Sequence, residues 1–140
     1  MAVIVSTKWL GNMKFESSNP SGHHLFIDAG EENGGHGEGY RPKALLLSGL
    51  AGCSGLDVAA LIKKMKLDVA SFNIEIEANL TEDHPKYYDK VAMHFHFHGA
   101  NLDEKKLQRA VDLSVEKYCG VMEMFRQFSK LDIKTFFHNT

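Results

Sequence analysis

The stretch KALLLSGLAGCSGLDVAALIKKM, residues 43–65, decides how this chain is read. Its first part, residues 44–56, carries no charge and consists mainly of leucines and very small residues. Pro42, just before it, suits the first turn of a helix, where a missing N–H costs nothing. From there to Met65 the pattern is helical. The first half is apolar all round, which predicts burial on every side. Ser48, Gly49, Ala51, Gly52, Ser54 and Gly55 leave so little bulk that another backbone can come close. A helical glycine costs about 1 kcal/mol against alanine. A helix that keeps Gly49, Gly52 and Gly55 therefore gains from close packing or from a site. Cys53 stands in the middle of this run.

Working outward, residues 2–9 and 13–18 read as short strands around a turn at Leu10, Gly11 and Asn12. Residues 24–28 read as a third strand. The glycine-rich segment 30–40 reads as a loop. Downstream, SFNIEIEANL (71–80) alternates strictly: Phe72, Ile74, Ile76, Ala78 and Leu80 share one face, and polar residues share the other. VAMHFHFH (91–98) does the same, with Val91, Met93, Phe95 and Phe97 inward. The loop between them contains His84 and Pro85 and suits an antiparallel pair. Asn101 reads as a helix N-cap, with Glu104 completing a capping-box variant. Leu107, Val111, Ser114, Tyr118, Val121, Phe125 and Phe128 mark one helical stripe. Residues 131–137 return to strand-like composition. This order of elements predicts an α+β fold rather than an alternating parallel α/β sheet.

At 140 residues the chain reads as a single domain, 1–140. A formal net charge of −2 gives no reason to expect a nucleic acid or an acidic membrane surface as partner. The uncharged run is too short to span a bilayer. The N-terminus lacks the basic start and small-residue cleavage site of a signal peptide, so a cytoplasmic location is expected. In that compartment a transient, catalytic disulfide is more usual than a structural one.

Two cysteines are present. The second, Cys119, is followed by Gly120, which predicts a helix break there. Thiols on two helices allow a reversible disulfide, and the sequence leaves open whether they meet. Free cysteine otherwise packs as a small hydrophobe. An apolar site also raises a thiol's pKa and makes it a poorer nucleophile, so reactivity requires a nearby cation or helix N-terminus. Arg41 and Lys43 open the Cys53 helix, but lie about 15 Å away along its axis. An activating group must then come from elsewhere in the fold, or from a second chain.

The segment GYRPKALLLSGLAGC (39–53), followed by Asp57 and Val58, resembles the first cysteine motif of the OsmC/Ohr family. Pro42 stands eleven residues before Cys53, as that motif expects. LDEKKLQRAVDLSVEKYC (102–119) resembles the second motif, with Gly120 and Val121 in the place of its following proline or small residue and apolar helix. The resemblance runs over essentially the whole chain. It implies an OsmC-like fold, with antiparallel sheets wrapped around two central cysteine-bearing helices in an intertwined homodimer. It also implies a stress-response thiol peroxidase acting on organic hydroperoxides. Cys53 corresponds to the peroxidatic and Cys119 to the resolving cysteine. A dithiol reductant, lipoyl- or thioredoxin-like, would restore the pair, and no metal or organic cofactor is needed. Two positions depart from the family pattern. The chain has no arginine before Arg41, and Lys43 and Ala44 follow Pro42 where a glutamate is expected beside it. Either Lys43 supplies positive charge directly, or Glu38 replaces the carboxylate from the loop.

Other functional readings stand beside this one. His94, His96 and His98 share a strand face. They read either as a metal-binding set or as a wet face with Glu75 and Glu77 as cross-strand partners. No zinc-type spacing accompanies them. The 34–37 glycine cluster lacks the Lys-Ser/Thr of a phosphate loop. Tyr118 and Phe125 read as core. Asp57 reads as a surface or helix-terminus group. The alternatives to a peroxidase are a dimeric module binding a small hydrophobic ligand, and a thiol redox sensor.

Overall fold

The structure, a computed structural model, describes residues 2–140. The chain divides after Leu46 into two compact units. The first holds an antiparallel meander of β1 (Ser6–Trp9), β2 (Phe15–Ser18) and β3 (His24–Ile27), in that order across the sheet. Asn12 and the two glycines Gly11 and Gly22 take positive φ in its turns, where the chain must reverse tightly. The glycine-rich segment stays a loop, with one 3-10 turn at Glu31–Asn33. What organises it is a residue the sequence reading passed over. Asp28 is buried, and its carboxylate accepts from the backbone N–H groups of Ala29 (2.8 Å), His36 (3.2 Å) and Glu38 (3.1 Å). The Glu38 N–H is the largest of the influences that hold this carboxyl below its ordinary pKa, working against its burial. Gly35 is tied to the same loop, because a Cβ there would fall 2.0 Å from the Ala29 carbonyl oxygen.

Helix α1 (Pro42–Lys64) begins before the division and runs on into the second unit. There, β4 (Ser71–Leu80), β5 (Tyr88–Gly99) and β6 (Lys130–Asn139) form a sheet in the order β4-β5-β6. The alternation expected of β4 and β5 is present, with Val91, Met93, Phe95 and Phe97 buried. It fails only at Leu80, 43 % exposed, where the register slips between Asn79 and Leu80. The core gathers the buried face of β5 with Leu50 and Val58 of α1 and with Leu107, Val111, Met122 and Phe125. Each such side chain contributes roughly 1.5–3 kcal/mol by leaving water.

The sheet is not purely antiparallel, as had been expected. β4 and β5 pair antiparallel, but β5 and β6 pair parallel. The reason lies in the connection: a parallel neighbour needs a crossover, and helices fill the segment between β5 and β6. The first of these, α2 (Glu104–Leu113), is capped by Asp103, whose carboxylate accepts from the Lys106 N–H at 3.1 Å. The cap is therefore Asp103 and not Asn101, since a carboxylate two residues later supplies the acceptor. A π-turn, Ser114–Tyr118, follows, and then α3 (Gly120–Arg126).

The π-turn corrects the expected stripe. Closing a turn from i to i+5 inserts one residue, so the inward positions that follow directly slip by one. Cys119 and Met122 face the core at 4 % and 0 % exposure, and Tyr118, expected inside, is 50 % exposed. Phe125 stays buried and Phe128 does not.

Burial of α1 on all sides does not occur within one chain. Only Leu50, Ser54 and Val58 are buried, while Leu56 is 75 % exposed. A Cβ added at Gly49 or Gly52 would meet nothing within 4 Å. The helix is longer than the uncharged run and, by length and composition, is long and apolar enough to cross a membrane.

Candidate functional site

The site lies within the second unit, where Cys53 of α1 and Cys119 meet. Both are free thiols, Cys53 half-buried and Cys119 buried. Local structure explains how Cys119 gets there. The last π-turn bond, from the Cys119 N–H to the Ser114 carbonyl at 2.8 Å, ends the helix. Cys119 then takes extended backbone (φ −78°, ψ 103°) and becomes the N-cap of α3. Its sulfur accepts from the Met122 N–H at 3.3 Å, in the place an N-cap oxygen usually fills. The expected helix break is thus present, and it is what aims the sulfur inward.

The two thiols are neighbours, and Cys53 is among the groups that act on the Cys119 proton. Burial, first, and the neighbouring Cys53 thiol, second, push the Cys119 thiol from an ordinary 9.0 up to about 11. The Met122 N–H opposes the rise, and the charges of Cys53 and Asp57 add to it. Cys119 is therefore a protonated thiol at neutral pH. Such a group attacks only as its proton leaves, which suits a second thiol better than a first.

A polar network the sequence reading missed adjoins the pair. Ser54 and Ser114 are both fully buried, with their hydroxyls 2.8 Å apart. Ser114 Oγ donates to Asp57 Oδ2 at 3.0 Å. Ser114 has one hydroxyl proton, so Ser54 donates to Ser114 and Ser114 to Asp57. Asp57 is therefore neither a terminus nor a bare surface group. The signal was a serine on an otherwise apolar helical stripe.

The other two expected site residues fall in the first unit. Glu38 is exposed, and its carboxylate lies 3.9 Å from Lys14 Nζ. Lys14 also stands over the Phe26 ring, 4.8 Å from its centroid. Lys43 is exposed and makes no ion pair among the described residues. A cleft of about 600 Å³ in this unit is lined by His24, Phe26, Glu38, Tyr40 and Leu45 among others, and neither cysteine lines it.

On the solvent face of the second sheet, His94, His96 and His98 are joined by His138 of β6. His96 Nδ1 and His138 Nε2 are 3.0 Å apart, and His98 stacks on His138 at 4.5 Å. Glu75 reaches His96 across the strands at 3.9 Å. Among the described residues no group of three or more His, Cys, Asp or Glu is placed to hold a metal.

Comparison with known proteins places this geometry. Residues 35–134 match the family model described as OsmC-like protein. The chain is 31 % identical over 120 residues to protein YhfA of Escherichia coli strain K12, covering 86 % of this chain and 87 % of that one. A hypothetical protein from Aquifex aeolicus VF5 superposes with a TM-score of 0.85 at 29 % identity, over 98 % of this chain and 96 % of the other. An organic hydroperoxide resistance protein OsmC from Legionella pneumophila superposes with a TM-score of 0.72. That likeness spans 97 % of both chains at 19 % identity and concerns the fold.

Proposed function

The chain belongs to the OsmC-like protein family, and from that premise we propose that it is a thiol-dependent peroxidase reducing organic hydroperoxides. The observation that carries the reading is the hydrogen-bonded link from the Cys53 segment through Ser54 and Ser114 to the turn that bears Cys119, whose thiol is held protonated beside Cys53. Cys53 is the more exposed of the two and meets the peroxide. Its thiolate attacks the terminal oxygen, the O–O bond breaks, an alcohol leaves and a sulfenic acid remains. The Cys119 sulfur then displaces the hydroxyl, its proton leaves with that oxygen as water, and a disulfide forms. An external dithiol, lipoyl- or thioredoxin-like, reduces it by exchange. No metal or organic cofactor enters these steps.

The family's arginine and glutamate have a counterpart in this proposal. Glu38 is the candidate for the carboxylate and Lys43 the candidate for the cation.

The working form in this proposal is a cytoplasmic homodimer, with 1–140 as one OsmC-like domain. The family match runs across the division at Leu46, which supports a single domain. The bare face of α1, with Leu56 75 % exposed, supports a second copy as its cover. Asp57 on the same helix bonds into the fold, which favours a core helix over a membrane span.

Turnover of cumene or fatty-acid hydroperoxide with a dithiol reductant tests the reading. Cys53→Ser is expected to abolish it. Cys119→Ser should retain a single turnover and leave a sulfenic acid that a dimedone-type probe labels. Equal, negligible turnover in wild type and both variants, across several hydroperoxides and reductants, would sink the peroxidase in favour of a binding module.

A further inference from the structure

We propose that Asp57 is a positioning residue for the thiol pair: through Ser114 it holds the π-turn that presents Cys119 to Cys53. The inference rests on the reading of the two cysteines as a redox pair. It starts from the slip of one residue at the π-turn. With an unbroken α-helix after Ser114, the inward position would be Tyr118. The inserted residue puts Cys119 there instead. A π-turn trades regular hydrogen bonding for that displacement and concentrates at functional sites.

Ser114 is the residue on which the turn hangs. Its carbonyl accepts the closing bond from the Cys119 N–H at 2.8 Å. Its hydroxyl has three contacts to α1: Ser54 Oγ at 2.8 Å, Asp57 Oδ2 at 3.0 Å and, longer, the Ser54 carbonyl oxygen at 3.4 Å. Ser54 is the chain neighbour of Cys53, so one buried chain of hydrogen bonds joins the segments bearing both sulfurs. A buried hydroxyl accepts such bonds readily, but packing alone asks for an apolar side chain at this point of the stripe. Two serines and a carboxylate here fix direction as well as volume.

Asp57 adds its charge. The titratable groups acting on Cys119 are Cys53 and Asp57, both from α1, and α3 contributes the opposing Met122 N–H. The carboxylate disfavours a thiolate on Cys119. The same residue therefore aims the second thiol and adds a small push, beside the larger one from burial, toward its protonated form.

Disulfide closure driven by diamide tests this without requiring any peroxidase activity. The Cys53 thiolate adds to the azo bond, the Cys119 thiolate displaces the resulting hydrazine nitrogen, and the two nitrogens take up protons as the disulfide forms. Asp57→Ala and Ser114→Ala are expected to slow closure by about tenfold or more, as loss of placement does in a two-centre reaction. Asp57→Asn keeps the acceptor and removes the charge. It should close near the wild-type rate at high pH, with its pH profile moved to lower pH. A residue with a merely structural role would not move that profile. Closure at the wild-type rate in all three variants, with an unmoved profile for Asp57→Asn, overturns the role of Asp57 alone. If Asp57→Ala and Ser114→Ala do not fold, the Asp57→Asn profile decides by itself. Wild-type protein that forms no Cys53–Cys119 disulfide overturns the redox pair and the inference with it.

Discussion

Cys119 couples chemistry to stability through its proton. Its thiol rises from an ordinary 9.0 to about 11 on folding. Between those values the unfolded chain has lost the proton and the folded chain still holds it. The stabilising contribution is therefore complete below about pH 9 and disappears as pH climbs through about 11. In reduced protein the urea midpoint should fall over that window, and Cys119→Ser should fall less. Tyr88, whose phenol burial also pushes up, contributes a remaining alkaline loss in both. A second residue-scale expectation concerns the cation. In the proposed peroxidase Lys43→Ala should slow the first step by about tenfold or more, because the fraction of reactive thiolate follows nearby positive charge. Single-turnover rates at fixed pH measure it, and an unchanged rate would remove Lys43 from that role.

At the scale of elements, short polar caps set where the helices begin and end. Asp103 caps α2 through the Lys106 N–H, so Asp103→Ala should cost about 1 kcal/mol of unfolding free energy. Asn101→Ala should leave the urea midpoint nearly unchanged, which distinguishes the observed cap from the one the capping-box pattern suggests. The crossover from β5 to β6 needs both α2 and α3, and the π-turn joins them. The apolar periodicity of residues 107–128 made a helix legible there. It could not show the extra residue, because an insertion leaves local composition unchanged and moves only the face.

At the scale of the whole molecule, α1 carries the clearest expectation. In one chain a leucine at Gly52 meets open space and improves helix propensity by about 1 kcal/mol. In a dimer closed over α1, the same side chain enters a packed interface. Gly52→Leu is therefore expected to weaken self-association by about tenfold or more, read by sedimentation velocity across concentrations. Wild type should sediment as a dimer, consistent with an obligate interface of roughly 2,000 Å² or more. A stable wild-type monomer at micromolar concentration would remove the homodimer. It would also leave the three glycines of α1 without a packing reason.

The sequence by itself determined the α+β order, the faces of β4 and β5, the Cys53 helix and the break at Cys119. These follow from local rules: period-two alternation, proline at a helix start, glycine at a helix end. Both cysteines were legible as candidates from their motifs. Only the tertiary structure decided that the two thiols are neighbours, that Ser54, Ser114 and Asp57 join their segments, and that β6 runs parallel to β5. It also revealed Asp28 as the anchor of the glycine loop and Lys14 as the partner of Glu38. Those facts depend on side chains far apart in the chain and on a one-residue insertion in a turn. Local propensity does not register either, because each is fixed by the free energy of packing and hydrogen bonding across elements.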